Sequence, residues 1–298
     1  MKRSLTVLLL LSATQFVIPH LTTLAQTPAP QAPPKVLQLF REEVKPYMNV
    51  AHEKVEAGWP KAFAKTKSPN YWLGLTSLSG PNEAWFLNSF DSFAAIEQAG
   101  QFGEKNPAFL AEVEQLGQQD KNLIAGARGI LASFDDELSY RPAVNLAQMR
   151  FFWVETFRVR PGHFAEFAEY RRLINAAHEK ANIDEHWAVY YVEAGMPTGT
   201  VLVFHPLKSL KDVDQAPSMH SKAYADALGA DNQKKMGELQ AAFTLSTESN
   251  YFGISAKMSY VPKELAASDP AFWNPKPKPA AKAPAAARKA PEKTGGAQ

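Results

Sequence analysis

The sequence predicts an α+β protein in which two tandem β-α-β-β-α-β units pack sheet to sheet as one intramolecular α/β barrel. Three observations predict this fold class: the chain repeats itself, both halves show the same order of strand and helix patterns, and each half carries enough apolar residues for a core. Hydrophobic residues make up 45% and charged residues 21% of the 298 residues, an ordinary globular balance. We place the units at residues 36–145 and 150–265.

The internal repeat has a nearly constant offset. Residues 44–46 match 159–161, and residues 71–72 match 186–187, both at an offset of 115; the Leu-Ser-Tyr-Arg-Pro run at 138–142 matches the Met-Ser-Tyr-Val-Pro run at 258–262 at an offset of 120. A drift of only five over about a hundred residues indicates duplication of a whole domain rather than a short solenoid repeat.

The elements of the second unit follow from residue spacing. Residues 151–159 are rich in β-branched and aromatic side chains in an alternating pattern, which predicts a strand. Pro161-Gly162 ends this strand. A helix follows, with apolar residues at helical spacing from Phe164 to Ala177. Strands at 187–192 and 200–205 flank a hairpin turn at 195–199, and a helix capped by Asp231 precedes a last strand at 251–260.

The first unit repeats this order. Its predicted strands are 36–43, 71–78, 84–90 and one that ends near Tyr140, and its second helix carries Leu110, Val113 and Leu116. We expect Pro60 to kink or end the first helix, because proline lacks the amide hydrogen and its ring clashes with the preceding turn. The order is that of a ferredoxin-like unit, whose sheet has helices on one face only. The other face of each sheet is expected to be covered by the other copy.

Both chain ends differ from the body. Residues 1–25 predict a cleaved signal peptide, with Lys2 and Arg3 before an apolar run at 5–11 that is too short to span a bilayer. Residues 26–35 predict a Pro-rich linker, and residues 275–298 a disordered Pro/Ala/Lys-rich tail. We therefore expect a periplasmic or secreted protein without a transmembrane segment in its mature form. Its core is expected to hold without disulfides, because the chain has no cysteine.

Charge limits the partners. The formal net charge is +2, but basic residues concentrate in the tail and leave a mildly acidic body, which is unsuited to binding nucleic acid. Since the two halves are fused, a monomer is expected to suffice, with a homodimer as the alternative.

Residues 155–167 resemble the opening strand and helix of the dimeric α/β-barrel superfamily, nearest to its NIPSNAP-like branch and close to the antibiotic-biosynthesis-monooxygenase group. The resemblance covers both copies. It implies the barrel fold, but the superfamily includes cofactor-free oxygenases, haem-degrading enzymes, haem peroxidases and isomerases, so the fold alone does not choose an activity. No cofactor is predicted from the residues themselves, and the resemblance leaves haem as an alternative.

Strand alternation provides candidate pocket residues. We expect Leu37, Leu39, Phe152 and Val154 to face the helices, which directs the intervening residues, Phe157 among them, toward the other sheet. On that basis we predict a cavity between the sheets that includes Gln38, Trp153 and Glu155. The alternative for Trp153 is that it simply fills the core between the sheets.

Histidines and tyrosines complete the candidate set. His186 and His205 lie on predicted strands, where a haem ligand or a general base could be, although a structural role is the more common one. One of the adjacent Tyr190 and Tyr191 should reach the pocket, since neighbours on a strand point to opposite faces.

The remaining histidines receive other predictions. His52, His163 and His178 are expected to be solvated, and His220 to lie in a loop that could cover a cavity mouth. We predict no metal site, because His52-Glu53 begins like a zinc-helix motif but position 56 is glutamate rather than histidine.

Three functional hypotheses follow. The first is a protein that binds a small apolar or aromatic molecule between the two units. The second is a cofactor-independent monooxygenase or haem-handling enzyme that uses the same cavity. The third is an interaction module without a ligand site.

Overall fold

A computed structural model describes residues 29–215 and 221–275, and it confirms the predicted fold class. The first unit contains β1 (Val36–Val44), α1 (Asn49–Glu56), α2 (Trp59–Thr66), β2 (Trp72–Ser77), β3 (Glu83–Phe90), α3 (Phe93–Glu104), α4 (Pro107–Asp120) and β4 (Ile124–Tyr140). The second contains β5 (Phe151–Val159), α5 (Phe164–Lys180), β6 (Trp187–Ala194), β7 (Thr200–Leu207), α6 (Lys211–Gln215), α7 (Lys222–Leu228), α8 (Ala230–Phe243) and β8 (Thr244–Tyr260), followed by α9 (Lys263–Ser268) and α10 (Pro270–Trp273).

The eight strands close into one barrel, in the order β1-β3-β2-β8-β5-β7-β6-β4. Each unit supplies a four-stranded antiparallel sheet, β4-β1-β3-β2 in the first and β8-β5-β7-β6 in the second. The sheets join at two seams, where β2 pairs with β8 and β4 pairs with β6. Every strand of the barrel therefore has two neighbours from the same chain.

The repeated sequence motifs hold the two seams together in the same way. The indole nitrogen of Trp72 donates to the Met258 carbonyl at 2.7 Å, and that of Trp187 donates to the Leu138 carbonyl at 3.2 Å. The Ser259 hydroxyl accepts the Gly74 amide at 2.8 Å, and the Ser139 hydroxyl accepts the Val189 amide at 2.9 Å. The register of each strand pair shifts at this point, so the serines satisfy amides that the ladder leaves unpaired.

The predicted strand facing is wrong. Leu37, Leu39, Phe152 and Val154 do not face the helices but lie together in the apolar cluster inside the barrel. Gln38, Trp153, Glu155 and Phe157 consequently face outward, toward the helices. Both faces of each sheet are covered, so alternation separates two sets of residues without saying which set is inside. The closed middle of the barrel takes the apolar residues of each strand, because a charge enclosed there would have no water and few polar partners.

Helices cover the outer face of each sheet. Pro60 does end the first helix: α1 stops at Glu56, and α2 begins at Trp59 with the proline in its first turn, where no amide hydrogen is needed. In the second unit α5 and α8 pack on the sheet around Phe157, Phe167 and Phe243. No helix in the described part of the chain has the length and apolar character needed to cross a bilayer.

Several boundaries and burials differ from prediction. β8 begins at Thr244 rather than at 251, and Gly229 rather than Asp231 is the residue before α8. His52 and His178 are buried rather than solvated, with 2% and 1% of their surfaces exposed, because each lies on the face of its helix that packs against the sheet. Residues 1–25, which were predicted to form a signal peptide, lie outside the described residues, as do His220 and most of the predicted tail.

Candidate functional site

A cleft with a volume of about 730 Å³ lies on the outer face of the second sheet, not between the sheets. Its floor comes from β5, β7 and β8. Its walls come from α5, the residues before β6 and the chain around α6. The lining residues used below are Trp153, Glu155, Arg171, His186, His205 and Tyr251. This volume lies within the usual range for small-molecule sites.

Three aromatic side chains form a row across the floor. Trp153 on β5 is paired in register with His205 on β7 and with Tyr251 on β8. The Trp153 and His205 rings stack with centroids 4.3 Å apart and an interplanar angle of 28°, and the Tyr251 ring lies 6.3 Å away on the other side at 22°. The indole nitrogen donates to the Ser249 hydroxyl. The stack follows directly from strand pairing, which places neighbouring side chains side by side on one face.

Glu155 and His205 form a hydrogen-bonded pair beside this stack. Nε2 of His205 lies 3.1 Å from a Glu155 carboxylate oxygen, and a guanidinium nitrogen of Arg171 lies 3.9 Å from the same oxygen. Burial alone would raise the pKa of Glu155, but the hydrogen bond from His205 and the charges of His205 and Arg171 bring it below its ordinary value. Burial lowers the pKa of His205 despite the opposing effect of Glu155. Near pH 7 the pair is therefore an ionised glutamate and a neutral histidine.

This protonation pattern fixes the histidine tautomer. A carboxylate only accepts hydrogen bonds, so Nε2 of His205 carries the hydrogen and Nδ1 keeps its lone pair. Among the described residues Nδ1 has no hydrogen-bond partner. A histidine held in one tautomer by a carboxylate, with its other nitrogen free at a cleft, can accept a proton from a bound molecule.

Arg171 is the functional candidate that sequence reasoning missed. It is 3% exposed, its guanidinium lies over the Trp187 ring at 4.9 Å, and within the described chain its Nε and Nη2 have no hydrogen-bond partner. A signal was present: Arg171 lies on the apolar stripe of α5, four residues after Phe167 and three before Ile174. A charged residue on a helix's buried face is costly unless it is paired or functional.

The predicted pocket residues separate into three groups. Trp153, Glu155, His186 and His205 line the cleft, so the structure brings these four together although the predicted facing was wrong. Tyr190 points the other way and lines a second cavity. Gln38 and Tyr191 line neither cavity, and Tyr191 packs against Phe164 with ring centroids 5.8 Å apart.

The second cavity lies between the sheets at one end of the barrel and has a volume of about 500 Å³. Side chains from both units surround it, including Leu37, Leu73 and Phe152. Residues 31–35 cover this end, where the Tyr190 hydroxyl donates to the Pro34 carbonyl at 3.0 Å. Its lining is mostly apolar, with polar groups such as Lys35, Ser89 and Asp91 among it, and the described residues around it include no hydrogen-bonded pair like Glu155 and His205, so the outer cleft is the stronger candidate site.

The cleft residues can also be tested against haem. Nδ1 of His186 donates to the Arg141 carbonyl at 2.7 Å, and its Nε2 lies 3.4 Å from a carboxylate oxygen of the exposed Asp184, on a side chain that is partly exposed to the cleft. Metal-binding histidines are usually oriented by a hydrogen bond of this kind. His205 is less suitable, since its Nε2 is held by Glu155. Of the two cleft histidines, His186 is therefore the one that would hold the iron of a bound haem, once its Nε2 turns from Asp184 to the metal.

The comparisons with known proteins find only distant likenesses. No family model and no curated protein matches the chain. Among solved structures, a provisionally assigned monooxygenase from Fusobacterium nucleatum is 12% identical, covers 75% of this chain and 93% of its own, and has a TM-score of 0.47. An anthrone oxidase-like protein is 11% identical over 76% of this chain and 94% of its own, with a TM-score of 0.47.

A mutant chlorite dismutase from Candidatus Nitrospira defluvii, in complex with cyanide, is 11% identical over 79% of this chain and 95% of its own, with a TM-score of 0.41. These likenesses are too distant to say anything about activity. The strand order of the chain itself defines its class: a closed α+β barrel built from two ferredoxin-like units in one polypeptide.

Proposed function

We propose that the outer cleft of the second unit binds a planar aromatic molecule that carries a hydroxyl group, and that His205 accepts the hydroxyl proton. The observation that supports this most directly is the Glu155–His205 pair, which leaves Nδ1 as a free acceptor beside the Trp153 ring. The ligand remains the small aromatic molecule expected from the sequence, but its place is the outside of the barrel.

The charges around the cleft favour a neutral ligand. Four carboxylates line it, from Glu155, Asp184, Glu185 and Asp212, against the two cations of Arg171 and Lys208. Like charges around a partly enclosed space repel an anion. Aromatic side chains on the floor supply stacking and apolar contact, each pair contributing about 0.5–1.5 kcal/mol.

The proposed proton transfer needs only groups within the cleft. The hydroxyl O–H bond breaks, an N–H bond forms at Nδ1 of His205, and the ionised Glu155 stabilises the resulting imidazolium through Nε2. Arg171 supplies a positive charge near the new phenolate. A cofactor-independent monooxygenase, the alternative expected from the sequence, would be an enzyme in which such a phenolate then reacts with dioxygen.

A pair of probes tests this function. 2-Naphthol carries the hydroxyl, whereas 2-methoxynaphthalene has nearly the same shape but no hydrogen to donate. We expect 2-naphthol to bind about 5- to 10-fold more tightly, which corresponds to one net hydrogen bond.

Two variants make this test specific. His205→Phe keeps an aromatic ring against Trp153 and should abolish the preference for 2-naphthol, whereas His163→Asn, at the start of α5 away from the cleft, should leave it unchanged. Equal affinity for both probes in the unmodified protein would contradict the proposal.

Haem is the second candidate ligand, and the backbone-oriented His186 is the observation that favours it. Bound haem would supply redox chemistry at its iron, while His186 would hold the iron and the cleft would enclose the ring. Titration with haemin tests this: a Soret band that shifts on binding and is lost in His186→Ala but retained in His163→Asn would support it. An unchanged spectrum in the presence of the protein would eliminate it.

Two further sequence expectations remain proposals. The charged start and apolar run of residues 1–25 support export to the periplasm or the medium, which the mass of the mature chain would test. The motif at 155–167 supports an affiliation with the NIPSNAP-like branch.

A further inference from the structure

The outer face of the first unit contains a buried polar cluster that the proposed function does not use. Glu42 comes from β1, His52 and Glu56 lie one turn apart on α1, and Asp120 ends α4. One nitrogen or oxygen atom from each side chain lies within 4.8 Å of all the others. Nε2 of His52 is 2.9 Å from a Glu42 oxygen and 3.7 Å from Oδ2 of Asp120.

The fold does not require charges at this place. At the repeat offset of 115, Glu42 corresponds to Phe157 and His52 corresponds to Phe167. Those two phenylalanines pack with ring centroids 5.4 Å apart in the second unit's outer core. The same scaffold is thus filled by apolar rings in one half and by a histidine and carboxylates in the other. Burying three carboxylates around one imidazole is costly without a compensating positive charge.

One carboxylate oxygen of the cluster has no partner. Asp120 is only 4% exposed, and among the described residues its Oδ1 makes no hydrogen bond, while Oδ2 points at His52. Glu56 is 5% exposed, and its carboxyl interacts electrostatically with those of Glu42 and Asp120. Buried polar atoms are nearly always satisfied in folded proteins, so an orphaned carboxylate oxygen in a cluster of ligand atoms indicates a missing partner.

We propose that Glu42, His52, Glu56 and Asp120 bind one divalent transition-metal ion, Mn²⁺, Fe²⁺ or Zn²⁺. Imidazole nitrogen and carboxylate oxygen together suit these ions, whereas Mg²⁺ and Ca²⁺ take oxygen ligands. Metal–ligand bonds of about 2.0–2.2 Å place neighbouring ligand atoms about 3–4 Å apart, close to the spacing already present. The sequence-based prediction of no metal site considered only a second histidine at position 56, but a carboxylate there presents a ligand on the same helix face.

Metal binding at this site should release protons. A metal ion binds the carboxylate form of Glu56 and a histidine nitrogen that carries no hydrogen, so protons compete with the ion at these ligands. Nε2 of His52 must also give up the hydrogen with which it bonds Glu42 before it can bind an ion. We therefore expect the affinity to rise with pH.

The direct test uses the whole chain, stripped with EDTA and dialysed. Titration with Mn²⁺ followed by electron paramagnetic resonance, and with Zn²⁺ in competition with a chromophoric chelator, should show one equivalent bound. His52→Gln and Asp120→Asn should weaken binding at least about 10-fold. Glu53→Gln is the control: it neutralises a carboxylate on α1, next to His52 in the sequence, but Glu53 lies outside the cluster and pairs with the exposed Lys257.

A further variant separates metal binding from folding. Glu56→Gln has nearly the shape of the protonated glutamate, so the metal-free variant should melt no lower than the unmodified protein. It should nevertheless lose the rise in melting temperature that Mn²⁺ or Zn²⁺ produces. Failure of the unmodified protein to bind any of Mn²⁺, Fe²⁺ and Zn²⁺, or unchanged binding in His52→Gln, would overturn the proposal. The naphthol test concerns the other unit and is independent of either result.

Discussion

Glu56 should make the metal-free protein less stable as the pH rises. Burial, followed by the charges of Glu42 and Asp120, raises its pKa to about 9 in the folded chain from an ordinary value of 4.5, so between these values the folded state holds a proton that the unfolded state has released. Stability is therefore complete below pH 4.5 and falls as the pH rises toward 9. With about 1.4 kcal/mol per pH unit, the loss reaches about 3 kcal/mol at pH 7.

Substitution of Glu56 with glutamine removes this pH-dependent loss of stability. Because Glu56→Gln cannot ionise, we expect its free energy of unfolding to match that of the unmodified protein near pH 5 and to exceed it by up to about 3 kcal/mol at pH 7. The gap should widen further at pH 8.5. Urea unfolding at these three pH values, with EDTA present throughout to exclude metal, measures it.

The control for this series is Glu53→Gln, which changes an exposed carboxylate three residues earlier on α1. The free energy of unfolding of this variant should change with pH in the same way as that of the unmodified protein, since exposed ion pairs contribute little to stability. If the free energy of unfolding of Glu56→Gln also follows that of the unmodified protein across the three pH values, Glu56 titrates normally and the argument from its burial is refuted.

Two further predictions concern the second unit and its seam. Glu155→Ala should lower the free energy of unfolding by about 3–5 kcal/mol, because it leaves the buried Arg171 without its counter-charge; a loss below about 1 kcal/mol in urea would contradict this. Gly195→Ala should lower the free energy of unfolding clearly more than Gly162→Ala does in the same assay. Both glycines have a positive φ, but a Cβ at 195 would lie 2.0 Å from the Gly129 carbonyl oxygen, whereas one at 162 meets nothing within 4 Å. Equal losses of stability in the two variants would contradict this prediction, because they would show that the backbone near Gly129 moves aside at no cost.

Much of the fold could be predicted because the same unit occurs twice in the sequence. The repeat offset identified the duplication, and the alternating residues of β5 and the helical spacing of α5 identified the element types. The facing of the strands could not be predicted in the same way. Leu37 and Trp153 both lie on strands whose two faces are covered. The alternation of residue types therefore does not show which face lies inside the barrel.

The candidate site was predictable only in part, since its residues meet through strand pairing. His205 and Trp153 are 52 positions apart in the chain, and nothing local shows that β5 and β7 lie side by side in this register. Arg171 could have been found from its position on the apolar stripe of α5. The first-unit cluster depends on α4 bringing Asp120 against α1, a tertiary contact without any local signal.

The closure of the barrel within a single polypeptide has a consequence for how its halves can differ. In a barrel assembled from two identical subunits, any substitution changes both sides of the assembly at once. Here the joined halves are encoded separately, so one side can have a glutamate and a histidine where the other retains two phenylalanine rings. A single chain thereby carries two chemically unlike surfaces on one shared framework, each free to change without altering the other.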